Sequence, residues 1–228
     1  MKLKDLYFVL GAAAFFSPFF IFDQVFDTYY RINLEHGLAM SFIKFAILAT
    51  LGEVIGLRIK TGVYNYRGFG LLPRALVWGF LGMSIKAAFD IFAAGTPVFL
   101  EKVGFENASM IIHESLSWKK VLVSFSIGTA LNIFYAPVMM TFHRITDLHI
   151  IQTGGSLKGF FTPLHMAELF KKIDWDVQWN FIFKRTIPFF WIPAQTITFL
   201  LPEEFRVLFA AFLGIVLGVL LAIAALKK

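Results

Sequence analysis

The sequence has no cysteine among its 228 residues. That excludes disulfides, thiolate catalysis and cysteine-type zinc sites. Charge is scarce as well: 16% of residues are Asp, Glu, Lys or Arg, against about 25% in soluble domains. Acid is the scarcer sign, with 15 Asp and Glu against 21 Lys and Arg. The basic residues collect at the ends of apolar segments, as cytoplasmic loops require. No basic arm or helix stands apart from those segments, so nucleic acid is not an expected partner. Catalytic signatures are missing too. The five histidines, His36, His113, His143, His149 and His165, show no metal-ligand spacing on one helix face. Gly154-Gly155-Ser156-Leu157-Lys158 lacks the order of a phosphate loop, and Arg67-Gly68-Phe69-Gly70 is a turn without a dinucleotide fingerprint. No cofactor and no metal are expected, and the chain is read as not an enzyme.

What the sequence has in quantity is apolar surface. Hydrophobic residues make up 58% of the chain, and Phe alone occurs 29 times. Residues 121–142 form a charge-free run of 22, and residues 207–226 another of 20. A bilayer's hydrocarbon core is about 30 Å thick, and about 20 helical residues cross it. The expected fold is therefore all-α: one polytopic membrane helix bundle over 1–228, with about six transmembrane helices.

The six expected spans are 6–22, 37–57, 71–93, 121–142, 181–201 and 204–226. The first is short and contains Pro18; it reads as a retained extra helix, since the apolar run continues past a small-residue stretch at Gly11 to Ala14. Pro188 and Pro193 are expected to kink the fifth. Basic connections alternate with acidic ones, which predicts both termini inside. No Arg- and Ser-rich leader precedes the first span, so the expected address is a bacterial cytoplasmic (inner) membrane. After Gly154 and Gly155, Met166, Leu169, Phe170, Ile173 and Val177 recur at helical spacing and Trp175 and Trp179 follow. That predicts an amphipathic helix lying in the membrane interface.

Ionisable residues inside membrane spans are candidate functional groups. Glu53 near the end of the second span and Arg74 near the start of the third fall in one layer, which predicts a Glu53–Arg74 pair. Lys86 and Asp90 are four apart on one helix face and can touch. Asn132 and Gln195 add polar groups on two further spans. His143, Arg144 and Asp147 follow the end of the fourth span and read as an interface anchor. The pore-lining or binding residues expected are thus Glu53, Arg74, Lys86, Asp90, Asn132 and Gln195. The bundle is expected to be a channel or transporter-like pore for small polar solutes, in contact with the lipid bilayer. A non-conducting scaffold or lipid-binding protein, and a membrane-embedded enzyme, are the alternatives.

One pattern resembles a known family. Trp191-Ile192-Pro193-Ala194-Gln195 is followed by Phe199, Pro202 and Arg206. This is similar to the signature of the peroxisomal and mitochondrial inner-membrane Mpv/PMP family. Asn132, Tyr135-Ala136-Pro137 and Phe142 resemble that family's Ala-Pro helix, and Gly52-Glu53 its Gly-Asp pair. Arg74 with Gly79 resembles the start of its Arg helix. Thr198 stands where the family has Asn, and Asn132 where it has an acid. The resemblance covers about 41–223 and implies a small membrane protein for which a weakly selective solute pore is proposed. Trp191 and Arg206 would brace the last hairpin.

Overall fold

The computed structural model describes residues 3–226, which contain helices and connecting turns and no strand. The chain divides into two compact units between Met40 and Ser41. The first unit holds α1 (Leu3–Phe16), α2 (Pro18–Ile21) and α3 (Asp23–Glu35). The expected first span is corrected here. Its longest helix has 14 residues, and the chain turns extended at Phe22 (φ −116°, ψ 105°) before α3 begins. Asp23 lies in the first turn of α3, where a carboxylate favours the free N–H groups. Aromatic contacts hold α2 and α3 together, with Phe19 edge-on to Tyr29 at 5.6 Å.

The second unit is built around α4 (Gly37–Thr61) and α5 (Leu71–Lys102). Then come α6 (Ala108–Ile111), α7 (Trp118–Phe134), α8 (Ala136–Gln152), α9 (Leu157–Phe160) and α10 (Met166–Lys171). A π-helix, Val177–Trp191, leads into α11 (Ile192–Leu200), and α12 (Glu203–Ala225) ends the described chain. Three of these helices, α4, α5 and α12, are long and apolar enough to cross a membrane. The pair α7 and α8, bent by 45°, adds up to a fourth. The fold is thus a helical bundle compatible with an integral membrane protein, with three to four such helices in place of the six expected.

Small residues set how closely the helices approach. Gly52 and Gly56 on α4 face α12: a Cβ on Gly52 would stand 2.9 Å from Ile215 Cα, and one on Gly56 3.5 Å from Gly218 O. Gly214 and Gly218 repeat the same four-residue spacing on α12. Two such stripes allow backbone contact without side chains between. Gly128 does the same between α7 and α11, where a Cβ would stand 3.1 Å from Thr196 N. Ile127 and Val123 on α7 and Phe199 on α11 are fully buried, and Phe199 packs on Phe89 of α5 at 5.2 Å.

Three other expectations are corrected by local chemistry. The fourth span breaks at Tyr135, because Pro137 has no N–H to give the preceding turn. Its helical continuation runs ten residues past the charge-free segment, to Gln152. The fifth span is not a kinked α-helix. A 15-residue π-helix, Val177–Trp191, begins before it and takes its first half; this is a wider coil closed by i→i+5 bonds that concentrates at functional sites. Thr186 donates through its hydroxyl to Phe181 O, five residues back, at 3.2 Å. The interfacial helix over 166–179 does not form as one piece. α10 stops at Lys171, and Asp174 Oδ1 accepts from Val177 N at 3.0 Å, capping a new helix start. Leu169 and Ile173 pack against Ile145 of α8.

Candidate functional site

Two glycine turns bring the start of α5 to the end of α8. Gly70 (φ +76°) precedes α5, and Gly155 (φ +67°) follows α8. A Cβ on Gly155 would lie 2.6 Å from the Gly68 carbonyl carbon, so nothing larger fits between the turns. Positive φ and backbone contact together demand glycine there. This docking sets the first turn of α5 beside α8, with Arg74 between them.

Arg74 is buried and spans three elements. Its Nε donates to Phe69 O at 2.8 Å, and its guanidinium lies over the Phe69 ring at 4.7 Å. Its Nη1 donates to Glu53 Oε2 on α4 at 2.7 Å and to Asp147 Oδ1 on α8 at 2.6 Å. Glu53 Oε1 accepts from Trp78 Nε1 at 2.8 Å. His143 Nε2 stands 3.3 Å from Glu53 Oε1 and 3.8 Å from Asp147 Oδ1. The His143 ring sits against the Trp78 indole at 4.3 Å. Two carboxylates, one guanidinium and one imidazole therefore form one connected group. With a proton on both imidazole nitrogens the four sum to zero charge. Buried charges persist only when each is paired and hydrogen-bonded, and these four supply that to one another.

The group forms part of the wall of a cavity of about 540 Å³ in the second unit. Glu53, Arg74, His143 and Asp147 border it, together with Lys60 and Arg144. Most of the remaining wall is apolar, from Phe45 and Ala49 on α4 through Ile85 and Phe89 on α5 to Leu131 on α7. Asn132 and Gln195, both buried, also border it. Asn132 Nδ2 donates to Gly128 O at 2.8 Å within its own helix. Gln178, Ile182, Thr186 and Trp191 reach the cavity from the π-helix at intervals of four or five residues. An α-helix would also keep Gln178, Ile182 and Thr186 on one face but would turn Trp191 away, whereas the wider π-turn keeps all four together.

Of the six residues singled out from sequence, Glu53, Arg74, Asn132 and Gln195 border this cavity and Lys86 and Asp90 do not. Lys86 and Asp90 pair with each other at 2.5 Å, and Lys86 also approaches Glu203 at 3.8 Å. His143 and Asp147 are the residues that sequence reasoning misplaced. Beyond the anchor role expected of them, α8 turns both, at i and i+4, toward Glu53 and Arg74. Their four-residue spacing was the available signal. The remaining signature residues have structural posts. Tyr135 bonds Ser84 Oγ at 2.6 Å at the α7–α8 bend, and Pro137 opens α8. Pro193 lies in the first turn of α11, and Pro202 caps α12. Arg206 Nε donates to Leu201 O at 3.1 Å, and its guanidinium covers the Phe199 ring at 5.5 Å.

Glu53, His143 and Asp147 offer three ligand atoms within 4.8 Å of one another. Both carboxylates are already bonded to the Arg74 guanidinium. No family model, no curated protein and no solved structure matches this chain.

Proposed function

We propose that the chain is a transporter-like, multi-pass membrane protein that takes a solute into the cavity of its helix bundle. In this reading it lies in a bacterial cytoplasmic membrane with both termini inside. The sequence resemblance to the Mpv/PMP family, for which a solute pore is proposed, points the same way. One observation carries the reading: an ionic group bridging α4, α5 and α8 faces an internal cavity instead of being sealed by packing. A structural ion pair needs no such space beside it. Asn132, Gln195 and the π-helix face add hydrogen-bonding groups along the same wall. The reading is of a carrier and not an enzyme, because Glu53, Arg74, His143 and Asp147 are engaged with one another and none is poised on its own as acid, base or nucleophile.

The absence of cysteine gives a clean test. Met140→Cys and Ile182→Cys each place one thiol on the cavity wall, and Ser156→Cys places one on an exposed turn. In liposomes, a small membrane-impermeant thiol reagent is expected to label both wall positions as well as the turn. Labelling of Ser156→Cys alone would mark the bundle as a dry scaffold and end the proposal.

A further inference from the structure

The cavity's outline narrows what it holds. Its wall on α4 runs from Phe45 to Lys60 and on α5 from Arg74 to Phe89. Each stretch is 16 residues, or roughly 22 Å of helix rise from first to last. A space of about 540 Å³ drawn out over at least that length is long and narrow, a shape suited to one extended hydrocarbon chain. The walls along most of this length are aliphatic and aromatic, and the ionic residues gather at one end. Asn132, Gln195 and the π-helix face offer a few hydrogen-bonding groups, but most of the wall is apolar and would leave a freely soluble polar solute largely unpaired.

The charges at that end are unequal in kind. Glu53, Asp147, Arg74 and His143 compensate one another at short range. Lys60 and Arg144 border the same end, are exposed, and form no ion pair among the described residues. Lys60 faces no carboxylate in the ionic group and Arg144 only the field of Asp147, so two exposed cations at the end of a narrow, mostly apolar cavity favour a negative headgroup on a single chain. We infer that the cavity binds a single-chain carboxylate amphiphile, with its headgroup between Lys60 and Arg144 and its chain along Ala49, Ile85 and Leu131. This rests on the carrier reading and names its substrate class.

The test uses the tryptophans on the wall. Trp78 and Trp191 border the cavity, and bromine quenches indole fluorescence on close approach. The purified full-length chain in detergent is titrated with 12-bromododecanoate, 12-bromododecanol and the matching bromododecyl trimethylammonium. These share one chain and differ in headgroup, so simple partition into the micelle is controlled. Saturable quenching by the carboxylate, reversed by dodecanoate and at least about tenfold weaker for the ammonium, is the expected result. Lys60→Gln with Arg144→Gln is expected to weaken carboxylate binding by about tenfold. Both residues are exposed, so folding is not at stake. Equal quenching by all three headgroups, or unchanged affinity in the double variant, overturns the inference. Dodecanoate is also expected to protect Met140→Cys from the aqueous thiol reagent. Labelling without protection sinks the substrate class and leaves the carrier standing; no labelling sinks the carrier itself.

Discussion

Helix α5 carries two cation–carboxylate groups three turns apart, and they differ in nearly every physical respect. Arg74 at one end is 9% exposed and reaches carboxylates on two other helices. Lys86 is 20% exposed, its partner Asp90 is 53% exposed on the same helix, and Glu203 is 67% exposed. The planar guanidinium makes fixed bonds through Nε and Nη1, while the ammonium is a mobile point charge. One group joins separate parts of the bundle. The other pairs along α5 itself and reaches α12 only through the exposed Glu203 at 3.8 Å.

The widest separation between the two comes from removing the cation. Arg74→Gln leaves two carboxylates, Glu53 and Asp147, with only the His143 imidazolium to offset them, and is expected to destabilise the protein by about 3–5 kcal/mol, read as SDS-induced unfolding in bicelles. A loss below about 1 kcal/mol would make the inner group as dispensable as the outer one. Gly155→Ala attacks the same group indirectly, by wedging apart the turns that bring α5 to α8. Strained φ and backbone collision together predict a loss of about 1–3 kcal/mol in the same assay. A neutral effect would mean that the two turns do not set the position of Arg74. Trp78→Phe keeps the ring against His143 and removes one donor to Glu53, with an expected loss of about 1–2 kcal/mol. Lys86→Gln is expected to change stability by less than about 1 kcal/mol, since both of its carboxylate partners are exposed and such pairs are worth little. A larger loss would promote Lys86 from surface to structure.

The same contrast explains what could be read from the chain. Glu53 and Arg74 were legible because a charge inside an apolar segment needs a partner, and only residues in one layer can meet. Lys86 and Asp90 were legible from four-residue spacing alone. Asp147 and His143 were placed outside because a hydropathy run ends at its first charge, whereas a helix ends where its hydrogen bonds do; α8 continues to Gln152. The π-helix was hidden because α and strand periods are the only ones that apolar patterning is usually tested against. Asp174 shows the opposite failure. Apolar residues recur on both sides of it at helical spacing, yet its carboxylate caps a new start at Val177 and divides the pattern. The glycine stripes on α4 and α12 carried a signal in plain sight, since both have the four-residue spacing of close helix crossings.

The central claim is that α4 and α8 meet through one ionic group inside the bundle. It is tested most directly by a double-mutant cycle of Glu53→Gln and His143→Gln, with unfolding free energy as the readout. These atoms stand 3.3 Å apart, so a coupling of at least about 1 kcal/mol is predicted. Effects that simply add, within about 0.3 kcal/mol, would place the two side chains in separate environments and contradict the account.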